Sequence, residues 1–590
     1  DIRTFGGDEG DEEPFLPPFD APPTLPPASL VQRRLILSRL VAAWAHSPAG
    51  GQAFSSPPTA AEIFSMADSL AAVFDDLAIA ETGVTELRTL GETLGPELGA
   101  YWQQTLQFLD IALSAWPSML DDLGRADPST LRGARLDRQA DGAPFIYGER
   151  PVIAAGSTGS IPATARLLRA IERLPRGAVV LPGLDTSMST ETHAALLRSE
   201  ESPHGHPQYH LAKLLRTLGA GPGEVVELAT QDHPRTRLIH RALALTSETA
   251  HWSRDRLTSS DLEQALTGVT IIAARHEDEE ARAIALAARD ALARKKTVGI
   301  ITPDRNLARR IAAELARFDV TVDDAAGAPL FQSTVGRLAR QILTLAVNRC
   351  AAVDLVALLR NRASLFSRSR KEVAQLADDI ELALLRGQRP APGLEGLRKA
   401  LADHLVEPPK SAARKLNVEK AEAITALLDD ISRALTPLSQ LLAQTHIRAT
   451  DLATAINAAV DAVADGAPIR GRDELRAWAD ELQKHGGQGH AFAPHGLDSV
   501  LAALMNGFQV RNRLDRRGDI AIWGQIEARL MRPDLTILGA LNEDVWPEPA
   551  DPGPWLSRGM RLAAGLEPPE RLQGLAAHDF AEAMGNADVI

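Results

Sequence analysis

Residues 521–580 read AIWGQIEARLMRPDLTILGALNEDVWPEPADPGPWLSRGMRLAAGLEPPERLQGLAAHDF. The polar WGQIEARL element leads into LTILGALNE, whose continuous apolar start predicts a short strand covered on both faces. A Trp-Pro corner follows, then a Pro- and Gly-rich turn that ends at Trp555. No simple folding requirement dictates that order. Trp546 and Trp555 flank the turn, and large aromatic side chains in such places read as core anchors.

Working outward, the hydrophobic period changes several times. PVIAAG near residue 151 reads as a strand and STG as a turn. SIPATARLLRAIERL reads as a helix with Ser160 as N-cap, Pro162 in its first turn and Ala165, Leu168 and Ile171 on one face. GAVVLPGLD is the next strand, so the segment is a βαβ unit with a parallel sheet. A second series follows: a strand at Gly268–Ala273, a helix with Ala281, Ile284, Ala285, Ala288 and Leu292 on one stripe, the strand TVGIIT, a helix opened by Pro303, and the short strand VTVDD. Residues 335–510 are Ala- and Leu-rich and read as almost entirely helical, and residues 519–590 return to α/β. A sheet is therefore interrupted by a large helical insertion and then resumed.

The bulk properties narrow the class. A chain of 590 residues exceeds one core and divides into several domains. It has no apolar run long enough for a membrane span. One cysteine, Cys350, excludes a disulfide framework and a cysteine-rich metal site, and fits a reducing cytoplasm. A net charge of −14 argues against a generic nucleic-acid coat, though it allows a local basic channel on an acidic body. The acidic first residues and the strand-like end at Ile590 read as those of an internal piece of a longer polypeptide.

Four blocks in order resemble the AddB subunit of bacterial AddAB helicase-nucleases, in its alphaproteobacterial form. They are AAGSTGSIPATARLLRAIERLPRGAVVLPGLD (154–185), GHPQYHLAKLL (205–215), VGIITPDRNLARRIAAELARFDVTVDDAAGAPL (298–330), similar to the motif IV region, and the 521–580 block, similar to motif V. The resemblance implies an α/β fold of the superfamily-1, UvrD/RecB-like helicase type, with RecA-like lobes carrying large helical insertions. It divides the chain into an acidic, Pro-rich linker (1–30), a helical insertion (31–149), the end of a first lobe (150–265), the first part of a second lobe (266–345), a second helical insertion (346–515) and the return of the second lobe (516–590). It further implies double-strand-break resection for recombination, an AddA-type partner subunit, duplex ends and single-stranded DNA as ligands, and a cytoplasmic, nucleoid-associated location.

The departures matter as much as the matches. Active motors of this class carry GxxxxGK[ST], whose amides and Lys hold nucleotide phosphates; no such sequence is present. Gly156-Ser157-Thr158-Gly159-Ser160 could offer amides to an anion but lacks the Lys. Where an active motor places an Asp-Glu pair for Mg²⁺, this chain has Ala154, Ala155 and Gly156, with Asp185 after the next strand. Asn542 and Glu543 occupy the motif V loop, and Asp544 replaces the last Gly of a GLNEG pattern. If that position takes positive φ, Asp suits it only in part and adds a carboxylate that repels DNA. No catalytic or metal-ligating residue is assigned. ATP, Mg²⁺, an iron–sulfur cluster and a PD-(D/E)XK-type nuclease domain are implied only for the complex or for a further domain, since one cysteine cannot hold a cluster that needs four. The resemblance thus points to a retired motor that guides DNA and takes part in recognising the Chi sequence.

Two basic clusters are candidate phosphate contacts: Arg360, Arg362, Arg368, Arg370 and Lys371 in LLRNRASLFSRSRK, and Arg511, Arg513, Arg516 and Arg517 in VRNRLDRRGD. Either could instead be a solvated face. Glu527 and Arg529 could position a DNA strand or form an internal ion pair. His204, His206 and His210 read as a loop around Pro207 rather than a metal site, as do His485, His490 and His495 in their Gly-rich loop. Two alternatives stay open: an active motor completed by segments outside this stretch, and a protein–protein scaffold without DNA contact.

Overall fold

The structure is a computed structural model. It describes residues 25–590 except 49–50, 52–53, 55, 84, 90–99, 199–202, 229–232, 254–255, 325–326, 387–389, 408–414, 466 and 512–517. Eight strands are present among the described residues: β1 (Val152–Ala155), β2 (Gly177–Val180), β3 (Val298–Ile301), β4 (Asp323–Asp324), β5 (Ala328–Pro329), β6 (Gln509–Val510), β7 (Ile520–Trp523) and β8 (Leu535–Leu538). The fold is mixed α/β, dominated by helix. It divides into two compact units, one holding the described residues of 1–28, 72–326 and 512–590, the other those of 29–71 and 327–511.

The first unit contains two parallel sheets. In the larger one the order is β4-β7-β3-β8, with Val298 opposite both Ile520 and Leu535. β3 precedes the 327–511 segment and β7 and β8 follow it, so the sheet resumes after the insertion. Two of its runs, VGII of β3 and LTIL of β8, are buried at every residue, as continuous apolar runs in parallel sheets are. Gly299 is required here, because a Cβ would overlap the Trp523 ring. The helix Glu277–Ala293 covers the sheet with Ala281, Ile284, Ala285, Ala288 and Ala291; Ala291 takes the buried place expected of Leu292, which is only partly buried. Four acidic residues in its first turn complement the helix dipole. The helix Arg305–Ala316 starts at Asp304, whose carboxylate accepts from the Asn306 amide at 2.7 Å.

The expected strand at Gly268–Ala273 is a single bridge. Val269 pairs with Val589, with Thr270 N donating to Val589 O at 2.9 Å. Beyond Thr270 the described residues offer no ladder partner, and Ile271 is 90% exposed. The smaller sheet pairs β1 with β2 in parallel, Val152 opposite Gly177, with the helix Pro162–Glu172 between them. Ala165, Leu168 and Ile171 are buried as the period predicted. The N-cap is Ile161 rather than Ser160, and no side chain caps the helix; Pro162 at N1 has no N–H to satisfy. Trp546 and Trp555 are core anchors. Trp546 Nε1 donates to Ala576 O at 3.1 Å, and Trp555 stacks on Phe108 with ring centres 5.3 Å apart.

The second unit is helical, apart from the short antiparallel β5–β6 pair. Its core joins Leu338, Ile342, Leu427, Ile431, Ile456 and Trp478. Val31, Leu35 and Phe64 belong to that same core, so residues 31–71 pack with 327–511 and a division at 31–149 and 346–515 does not follow the packing. The reason is visible at Arg34, a buried guanidinium that bonds Asp68 at 2.7 and 2.9 Å and the Leu504 and Asn506 carbonyls at 3.0 Å. A buried charge needs such partners.

Candidate functional site

The loop after β8 holds the motif-V-like residues. Ala540 N donates to Glu280 Oε1 at 2.7 Å, which fixes the loop to the adjacent helix. Leu541, Asn542, Glu543 and Asp544 are all exposed. Asp544 has φ +66°, so the position does take the left-handed conformation, at a cost of roughly 1 kcal/mol for a non-glycine residue. The loop therefore presents Glu543 and Asp544 carboxylates to solvent.

The turn after β1 lies elsewhere in the same unit. Ala154 is buried in the strand and Ala155 is exposed. Gly156 has φ +84°, and a Cβ there would touch Leu530; Gly159 has φ +62° and abuts Leu214. Ser157 Oγ accepts from Gly159 N at 3.2 Å. The glycines serve the turn and its packing. Neither alanine has a side-chain carboxylate of the kind that holds Mg²⁺ in an active motor.

After β2 the chain is read by Gln208. Its Nε2 donates to Gly183 O at 2.8 Å and its Oε1 accepts from Asp185 N at 3.1 Å. Burial pushes the Asp185 carboxyl up, but the His240 ring 3.3 Å away and bonds from Ser187 outweigh it and hold the group below its ordinary range. Asp185 is thus a structural anion tying a turn.

The remaining blocks meet around the helix Glu570–Met584. Arg529 pairs with Asp579 at 2.7 and 3.2 Å, both largely buried. Arg529 is therefore in an internal ion pair, while Glu527 stays exposed. The same Asp579 lies 3.2 Å from His578 Nδ1, and His578 Nε2 is 2.9 Å from Pro182 O, which it can reach only as donor. Leu530 N donates to Glu582 Oε1 at 2.7 Å. One polar frame thus joins WGQIEARL, GLAAHDF and VVLPGLD.

His204 and His206 lie in the turn around Pro207, as expected, and His210 opens the helix Tyr209–Leu218. His204 and His210 are buried. His206 Nδ1 accepts from Gln208 N at 3.1 Å, and burial holds that ring down to about 4. Glu567 is ion-paired with Lys213, lies 3.5 Å from His210 Nε2 and accepts from Tyr209 Oη at 3.4 Å. Burial raises the Glu567 carboxyl, but His210 and Lys213 outweigh that and bring it to about 2. Nothing in the spacing of HGHPQYH signals that its partner is Glu567.

The basic clusters fare unevenly. Arg360 is ion-paired with Asp378 and lies 3.3 Å from Glu381, so it is occupied; Arg362 is exposed. Arg511 is exposed, whereas Arg513, Arg516 and Arg517 lie outside the described residues. Among the described residues no cluster of His, Cys, Asp or Glu is arranged to hold a metal ion, and no helix is long and apolar enough to cross a membrane. No protein-family model matches this sequence, and no curated protein matches it.

Proposed function

We propose that this chain is the non-motor, DNA-guiding part of an AddB-type subunit in an ATP-dependent helicase–nuclease complex that resects double-strand breaks in the cytoplasm. The reading rests on the four sequence blocks. The observation that carries it furthest is their convergence: Arg529, His578 and Asp579 of the 521–580 block reach Pro182 of the 154–185 block, Lys213 of the 205–215 block pairs with Glu567, and the fourth block supplies β3 to the sheet that β7 and β8 complete.

The chemistry of the motor positions supports guidance over catalysis. A nucleotide site needs a cation for the phosphates and a carboxylate for Mg²⁺. Ala154, Ala155 and Gly156 provide neither, and Asp185 is engaged by Gln208 and Ser187. ATP and Mg²⁺ would then act in the partner, and a nuclease with its iron–sulfur cluster in a further domain. In such a complex this chain would hold the partner subunit, channel the separated strands and take part in Chi recognition.

A scaffold without DNA contact is favoured by the net charge of −14. One experiment separates the two. The natural full-length polypeptide, purified with its partner, is given ATP, Mg²⁺ and a blunt duplex carrying a photoreactive nucleotide. Resection with cross-links to residues 1–590 agrees with guidance. Resection without such cross-links favours the scaffold, and no resection at all contradicts the family assignment.

A further inference from the structure

The carboxylates of this chain are unevenly spread. From residue 325 to 371 there is one, Asp354, against eight Arg and Lys side chains, in a chain whose net charge is −14. Three of the eight are spent inside the fold. Arg360 is held by Asp378 and Glu381. Arg368 reaches Asp430 and Phe366 O, each at 2.6 Å. Arg370 donates to the Leu359 and Arg360 carbonyls at 2.7 and 3.0 Å, covering the end of the helix Ala352–Arg360.

The others are placed differently. The helix Thr334–Val347 contains no acidic residue and buries Val335, Leu338, Ala339, Ile342 and Leu345. Its solvent stripe carries Arg337, Arg340, Gln341 and Thr344. Arg337 is exposed, and Arg340 lies over the Phe331 ring at 4.5 Å. The loop after the next helix is pinned to this stripe, because Asn361 Nδ2 donates to Gln341 Oε1 at 2.7 Å and Asn361 Oδ1 accepts from Ala363 N at 2.9 Å. That sets the exposed Arg362 beside Gln341, which is one helical turn, about 5.4 Å, from Arg337. Arg349 follows the helix end, exposed, with its carbonyl accepting from Gly393 N at 2.7 Å. Arg337, Arg349 and Arg362 have no ion-pair partner among the described residues.

We propose that this stripe, with the 361–362 loop, binds the phosphodiester backbone of a DNA strand, and that Arg337, Arg349 and Arg362 contact its phosphates. Guanidinium groups set along one stripe without carboxylates leave a local positive potential, which attracts an anion. The shape selects a linear polyanion over a small phosphate. The row follows a helix for about 15 Å from Arg337 to Val347, which matches about four nucleotide steps at 3.4 Å each. Arg360, one of the cations the sequence offered beside Arg362, is not part of the surface because Asp378 and Glu381 already pair with it. The surface itself rests on charge and geometry; DNA as its ligand rests on the guidance reading above.

The test is fluorescence anisotropy of a mixed-sequence single-stranded oligonucleotide with the chain 1–590 over a salt series. The R337Q/R349Q/R362Q variant is expected to lose about tenfold or more in affinity at low salt and to reduce the slope of log K against log salt by about 2, at roughly 0.7 per phosphate contact. The R337K/R349K/R362K variant should keep most of the slope, and Arg360→Gln should leave it unchanged. All substituted side chains are exposed, so thermal melting should stay at the wild-type temperature. Wild-type slope in the triple Gln variant overturns the surface and leaves the guidance reading intact. If the unaltered chain binds no DNA, both fall.

Discussion

The frame around the helix Glu570–Met584 and the helical stretch 334–371 use charge in opposite ways. In the frame, Arg529, Asp579, Lys213 and Glu567 are drawn inward and satisfied by one another. In the helical stretch, Arg337, Arg349 and Arg362 stand outside an apolar core with no ion-pair partner among the described residues. Buried pairs add little net stability, since desolvation offsets their attraction, but breaking one leaves an uncompensated charge. They therefore fix a geometry. Exposed unpaired cations fix nothing and remain available to a ligand.

That contrast can be broken experimentally, most severely first. Asp579→Ala strips the partner from both Arg529 and His578 and is expected to cost about 3–5 kcal/mol in chemical denaturation; a cost below about 1 kcal/mol would show that the frame holds nothing. Next comes Gly299→Ala, whose methyl overlaps the Trp523 ring. It should cost about 1–3 kcal/mol, and a neutral result would mean that the sheet yields locally.

Acid should act through burial in both units. His206 in the first and His490 in the second are held near 4 rather than 6.5 by desolvation. The unfolded chain then binds more protons than the folded one between those values, so stability is lost as pH falls from about 6.5 toward 4. Glu567, lowered to about 2, adds a further loss below its ordinary value of 4.5. His490→Gln should flatten the first part of the decline, measured as denaturation midpoint against pH; an unchanged slope would place the sensitivity elsewhere. The smallest effects lie at the surface. Asp544→Gly should stabilise by about 1 kcal/mol through relief of φ +66°. Arg360→Ala should leave the denaturation midpoint unchanged, because its pair with Asp378 is solvent-exposed.

Much of the first unit was legible in the sequence. VGII and LTIL lack any alternation, which only a strand covered on both faces tolerates, and the Ala165–Leu168–Ile171 stripe has the helical period. Gly268–Ala273 misled because its residues suit a strand while its neighbour is Val589 alone. Amphipathic helices announce a buried face without naming what covers it, so Val31, Leu35 and Phe64 gave no sign of joining the 327–511 core. Arg529 could be read as a DNA contact or an ion-pair partner, and its partner sits fifty residues away. The turn of HGHPQYH at Pro207 was legible, but the burial of His204 and His210 was not, because it depends on packing that no local pattern encodes. Arg360 and Arg362 looked equivalent, and only the Asp378 and Glu381 carboxylates separate them.

The central proposal is that this α/β chain guides DNA without turning over nucleotide. The most direct test is ATP hydrolysis by the chain 1–590 with Mg²⁺, in the presence and absence of forked DNA. The account predicts DNA binding with no DNA-stimulated turnover. DNA-dependent hydrolysis by this chain alone would contradict the reading of Ala154 and Ala155 and make the protein a motor.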